Sequence, residues 1–191
     1  MQYSDDGNSW TAAWSESGVS WTNRDFKRFV HPSEAASYSG SPHGSHAYWR
    51  FVSMAADSDD AVCFAEIEFR ATPGGADQAT GGTPTASSVW TASNPDLFAA
   101  NAFDDNPATI WSAENNTNYA WLRYQFASPV EVAEVAITAR NDVAADTSPG
   151  EFAIQYSDDG TTWTTAWVVL GETGWSLGQT RVYTDPNFVE E

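Results

Sequence analysis

Carboxylates are the groups in this chain most able to do chemistry, with 26 Asp and Glu against 8 Lys and Arg. Two carboxyls at the right separation supply the acid and base of glycoside hydrolysis. Asp5-Asp6, Asp59-Asp60 and Asp158-Asp159 are adjacent pairs. The first and last sit in identical SDDG contexts and read as turns, and Asp59-Asp60 reads as a loop between two strands. At this acid content such pairs arise by chance. His43 and His46 form an HxxH in a Gly/Ser-rich stretch. With no supporting ligand cluster it reads as loop, not as a metal pair. The single cysteine, Cys63, has no internal disulfide partner. Within Ala61-Val62-Cys63-Phe64-Ala65 it reads as a buried structural thiol and not a nucleophile. No nucleophile elbow and no phosphate-binding glycine loop is present. With no nucleophile, base and orienting group together, the chain is expected not to be an enzyme.

The elements that would position a site are strands. Trp121–Phe126 alternates large apolar with polar residues, and Val130–Ile137 does the same. Phe152–Tyr156 leads into Ser157-Asp158-Asp159-Gly160, where Asp-Gly supplies the backbone angles of a tight hairpin before Trp163 resumes the strand. Tyr48–Val52 and Phe64–Phe69 are two more strands, while Pro95–Phe103 has room for about two helical turns. Trp111, Trp121 and Trp163 fall at strand positions and are expected in the core. The reading is all-β, an antiparallel jelly-roll sandwich.

With 41% hydrophobic residues and 14% aromatics, the 191-residue chain has the apolar mass for a core. A net charge of −18 repels phosphate backbones and anionic membranes, which argues against nucleic-acid binding. The acidic surface is either simply solvated or attracts cations. No signal-like segment and no membrane-length apolar run occurs. This predicts a protein that is intracellular or exported by assembly into something larger. The sequon Asn115-Asn116-Thr117 is taken as chance.

The chain also repeats itself. Gln2–Trp14 and Gln155–Trp167 match at ten of thirteen positions, at an offset of 153 residues (155 − 2). Such a period suits one compact β-domain and is too long for a solenoid. Copy one begins at this hairpin and copy two nearly ends with it. Thr72–Thr85, rich in Gly, Thr and Pro, is the expected linker. It divides residues 1–71, the C-terminal half of one unit, from 86–191, a sandwich lacking its closing strands.

These elements resemble the discoidin family of coagulation-factor C-type domains, which are galactose-binding-like jelly rolls. Ala100–Asn106 with Thr109 and Trp111 resembles the family's A-FDGN–T–W signature. Trp121-Leu122 with Phe126, Pro129 and Val130 resembles its WL–F–PV strand pair, and Pro149, Phe152 and Gln155–Trp163 its P–F–QYSDDG–W hairpin. His46–Arg50 and Ala65–Glu68 resemble its closing strands. With Ala139–Asp142 and the GGAD–ATGG joint, the pattern is particularly similar to repeats of bacteriophage tail-fibre and other virion proteins. Two departures stand out. Asp105 occupies the signature's glycine position, and the closing strands precede the opening ones. Three arrangements satisfy that order: a segment of a tandem array, a permuted domain completed in cis by residues 46–70, or strand donation to a neighbouring subunit.

The resemblance implies two sites. One is a calcium cage formed by the Asp104 side chain, the Asn106 carbonyl, Thr109, and Glu66 with the Ala65 carbonyl, an oxygen set suited to a hard cation. The alternative is a tight loop held by Asp104 bonding its own backbone. The other is a sugar-binding patch at the loop tips, drawn from Trp90, Asn115, Asn118, Tyr119, Arg140, Asn141 and Asp142. There a ring stacks on the sugar and polar groups bond its hydroxyls. The alternative for Trp90 is a lid on the core edge, and for Arg140 simple pairing with Asp142 or Asp146. The expected function is a non-enzymatic carbohydrate-binding or adhesion module of a phage or virion appendage. Its partners would be cell-surface glycans and other virion or repeat subunits, it would be oligomeric or part of a larger assembly, and it would lie at the virion surface or outside the cell. The alternative is a structural assembly module linking subunits by shared strands.

Overall fold

The computed structural model describes residues 43–57, 61–114, 119–143 and 145–188, together with the backbone of two short strands near the start of the chain. Asp5-Asp6, Asp59-Asp60, Asn115 and Asn118 lie outside the described residues. The chain divides into two compact units, Met1–Tyr38 and Ser39–Glu191. In the first, β1 (Gln2–Tyr3) and β2 (Thr11–Ala12) pair antiparallel, with Gln2 opposite Ala12 and Tyr3 opposite Thr11.

The second unit is a β-sandwich. Its strands are β3 (His46–Ala56), β4 (Cys63–Phe64), β5 (Glu66–Arg70), β6 (Thr83–Ala86), β7 (Trp111–Ser112), β8 (Trp121–Val130), β9 (Glu134–Thr138), β10 (Pro149–Ser157), β11 (Thr164–Val169) and β12 (Thr180–Thr184). One sheet runs β11-β10-β3-β8-β6 and the other β12-β9-β5, with β4 and β7 forming a small third pair. All pairings are antiparallel. Among the described residues there is no α-helix. Pro95–Leu97 and Ala99–Phe103 are 3-10 turns, the first started by Asn94, whose side chain accepts from the Asp96 N–H. The repeated hairpin keeps its register. Gln155 opposes Thr165 and Tyr156 opposes Thr164, the same partners one offset on from those of β1 and β2.

The closing strands sit inside this unit. β3 lies between β10 and β8, bonded on both edges, and β5 pairs with β9 from Glu66↔Thr138 to Arg70↔Glu134. Residues 72–85, expected as a linker, are tied to the sandwich. Asp77 accepts from the Phe69 and Ala79 N–H groups at 2.9 Å, Gly82 N–H donates to the Tyr124 hydroxyl at 2.7 Å, and Thr83 begins β6. A Cβ at Gly82 would lie 2.3 Å from the Gln125 carbonyl and 2.4 Å from the Tyr124 ring, so only glycine fits. The stretch read as one strand over 130–137 is divided. β8 ends at Val130, the chain turns, and β9 begins at Glu134. The strand read over 64–69 is likewise divided between β4 and β5.

Period-two alternation fills the core. Trp49 and Phe51 on β3, Leu122, Tyr124 and Phe126 on β8, and Phe152 and Ile154 on β10 are buried. They meet Ile67, Phe69, Val135 and Ile137 of the facing sheet in one cluster. Phe69 and Phe126 pack edge-on with ring centroids 6.0 Å apart, as do Phe152 and Tyr183 at 5.0 Å, which locks the sheets together. Trp111 is fully buried, but Trp121 and Trp163 are only half-buried, against expectation. The alternation that buries Leu122 and Tyr124 turns Trp121 to the outer face, where Trp163 also lies, stacked under Arg50. His46 is the first residue of β3 and not a loop residue. It bonds Asp158 at 3.0 Å, while His43 contacts Asp185 at 3.0 Å.

Candidate functional site

Two constellations carry chemistry. The first is a cavity of about 370 Å³ at the loop end of the sandwich, whose lining includes Cys63, Trp90, Leu97, Arg140, Val143 and Thr147. β4 and β7 hold its floor by pairing Cys63 with Ser112. The Trp90 N–H donates to the Ser112 carbonyl at 2.8 Å, and the ring remains 48% exposed, so it is a wall of the cavity and not a lid on the core. Arg140 follows β9. Its carbonyl accepts from the Gly178 N–H, and its Nε and Nη2 donate to the two Asp142 oxygens at 2.6 and 2.7 Å. Those bonds keep Arg140 cationic and lower Asp142 below the usual carboxylate range. The fork fixes the guanidinium plane at the cavity. An aromatic face and an oriented arginine across one hollow are what a sugar needs: a surface for its C–H face and a donor for its oxygens.

The structure thus brings Trp90 and Arg140 together. Asn141 is exposed beside Gly178 and Tyr119 is 75% exposed, and neither lines the cavity. Cys63 is the buried thiol that its apolar run predicts. It is buried and protonated, its thiol pushed up to about 11 by burial, yet it forms part of the cavity floor. An apolar run gives no sign of that, because its floor position comes from the β4–β7 pairing across 49 residues of chain (112 − 63).

The second constellation is a cradle of oxygens. Asp105 adopts φ 58°, the left-handed conformation that glycine supplies in the family signature. The turn it makes lets Asp104 Oδ1 accept from the Asn106 N–H at 2.9 Å. The Thr109 hydroxyl faces Asp104 Oδ2 at 2.9 Å, Asp104 Oδ1 at 3.1 Å and the Asn106 carbonyl at 2.8 Å. The hydroxyl has one proton, so it can donate to only one of these three oxygens at a time. Glu66 reaches this loop from β5. Its Oε1 is buried and receives no hydrogen bond. Burial, and then the Asp104 carboxylate, push the Glu66 carboxyl up to about 8.

Among the described residues, no three His, Cys, Asp or Glu side chains converge as a metal cluster. The cradle mixes two carboxylates with a carbonyl and a hydroxyl, which is the donor set of a hard cation. An orphaned carboxylate oxygen facing a second carboxylate fits a divalent ion and is unfavourable without one.

The family model of the F5/8 type C domain matches residues 83–186. Comparisons with curated proteins and with solved structures find no significant match. The matched span opens at β6, so β3 and β5, which complete both sheets, lie before it.

Proposed function

The chain belongs to the F5/8 type C domain family, and from that premise we propose that it is a carbohydrate-binding module whose ligand enters the cavity between Trp90 and Arg140. Domains of this family are often carbohydrate- or ligand-binding modules, generally non-catalytic, and typically extracellular or surface-exposed. Among the described residues no helix is long and apolar enough to cross a membrane. The observation that carries the reading is the shared hollow. Trp90 offers a half-exposed ring to it, and the Asp142-braced guanidinium of Arg140 also lines it. The ligand is a cell-surface glycan that presents one apolar ring face to Trp90.

A calcium ion would be held by Glu66, Asp104, the Asn106 carbonyl and Thr109. It would neutralise two facing carboxylates and join β5 to the loop after the 3-10 turns. The residues of this chain do the rest: Asp105 shapes the turn and Asp104 holds Thr109.

The setting on a phage or virion fibre, spike or decoration protein rests on the resemblance of Ala139–Asp142 and the GGAD–ATGG joint. Finding the chain in purified virions by mass spectrometry tests it. The alternative role, linking subunits by shared strands, would require β3 to leave a sheet in which both its edges are bonded. A glycan-array screen of the purified chain, run with calcium and again with chelator, tests the main reading. Saturable binding to one sugar class, lost in Trp90→Ala, supports it. Absence of binding by the folded, calcium-loaded chain overturns it.

A further inference from the structure

Arg50 and Arg123 stand directly opposite each other in the ladder between β3 and β8. Like charges in that position destabilise a sheet. The chain has only 8 basic residues among 26 acidic ones. Even so, among the described residues neither guanidinium has a carboxylate within ion-pair reach, whereas Arg70, Arg140 and Arg181 each do.

The pair is held by neutral groups instead. Arg50 Nε donates to Gln155 Oε1 at 2.8 Å, and its guanidinium lies 3.9 Å over the Trp163 ring. Arg123 Nε donates to Thr85 Oγ1 at 2.9 Å and Nη1 to the Gly160 carbonyl at 3.2 Å, with the Tyr48 and Trp121 rings 5.6 and 5.5 Å away. All of this lies on the outer face of the five-stranded sheet, because the alternate residues Trp49, Phe51, Leu122 and Tyr124 point inward. Burial, and then the Arg123 charge, lower Arg50 to about 10.

We propose that this pair is a second ligand site, separate from the loop cavity, for a carboxylate carried on a sugar. Both Nη groups of Arg50 and the Nη2 of Arg123 have no bond among the described residues, and paired guanidinium N–H groups match the two oxygens of a carboxylate. The Tyr48 and Trp121 rings beside them offer apolar faces to the C–H side of the sugar that carries it. The chain's net charge of −18 repels a polyanion at a distance. The fitting ligand is therefore an isolated uronate-type residue within an otherwise neutral glycan.

The test is a titration of the full chain with methyl glucuronoside, methyl glucoside and acetate, read on the Nε–H NMR signals of the arginines. The uronate is expected to shift the Arg50 and Arg123 signals and to bind at least about tenfold more tightly than the neutral sugar or acetate. Arg123→Gln is expected to abolish that binding. Arg123→Lys, which keeps the charge, is expected to weaken it about tenfold. Trp90→Ala, at the other site, is expected to leave it unchanged. Unmoved arginine signals, acetate binding as tight as the uronate's, or full affinity in a folded Arg123→Lys protein would each overturn the proposal.

Discussion

Glu66 and Asp104 come from different segments of the chain, and their carboxyls meet across the cradle with Oε1 of Glu66 buried and unbonded. Their contact becomes a hydrogen bond only when one of them holds a proton, and burial favours that proton on Glu66. A proton and a divalent cation compete for the same oxygens.

Stability without calcium should therefore fall as pH rises. The native Glu66 value of about 8 lies above its ordinary 4.5, so between those values the folded state binds more protons than the unfolded state. The slope of unfolding free energy with pH is then negative across this window and flat below it. Calorimetry in chelator from pH 4 to 9 should show the melting temperature dropping between about 5 and 8. Calcium should remove most of the drop, and Glu66→Gln should remove both the drop and the calcium effect. An unchanged pH profile in Glu66→Gln would sink this assignment.

Asp105 occupies a positive-φ position, so side-chain shape decides its replacements. Asp105→Gly should leave stability within about 1 kcal/mol of the parent. Asp105→Val should cost about 1–3 kcal/mol, because a β-branched residue resists that conformation. Urea denaturation of the two variants measures the difference, and equal midpoints would contradict the account.

Gly82→Ala should destabilise the sandwich by about 1–3 kcal/mol, since its Cβ meets both the Tyr124 ring and the Gln125 backbone. Tyr124→Phe in the same background should recover little of the loss, as the backbone clash remains. Were 72–85 a slack connector, Gly82→Ala would be silent in chemical denaturation.

In the loop cavity, Trp90→Ala and Arg140→Ala should each weaken glycan binding about tenfold or more while leaving the melting temperature within a few degrees. Asp142→Asn should have a smaller effect, because the Arg140 charge persists while its brace weakens. Isothermal titration with the sugar class found on the array provides the numbers. Full affinity in Trp90→Ala would move the site elsewhere.

Much of the sandwich was legible in the residues. Alternation located β3, β8 and β10, and the Asp-Gly turn located the β10–β11 hairpin. Alternation pairs residues on a face without saying which face is inside, so Trp121 and Trp163 read as core although they lie outside. The Gly/Thr/Pro run 72–85 read as a linker because composition does not reveal Gly82 lying against Tyr124. Of the expected sugar contacts, Trp90 and Arg140 line the cavity, while Tyr119 and Asn141 do not. Loop composition gives residue types, but only the strand ends decide which loops share a rim.

The central position of β3 has a consequence for how this unit comes into being. Its ladder partners on β8 and β10 lie far downstream, Trp49 opposing Tyr124 on one edge and Tyr156 on the other. Contacts of such separation make folding slow, because a long loop must close before any of them is rewarded. As the chain leaves the ribosome, β3 has no complete seat until Ser157 has emerged. Until then Trp49 and Phe51, both fully buried in the finished unit, are exposed to solvent or to whatever holds the nascent chain. The residue that ends β10 thus sets the earliest moment at which β3 can be paired along both edges.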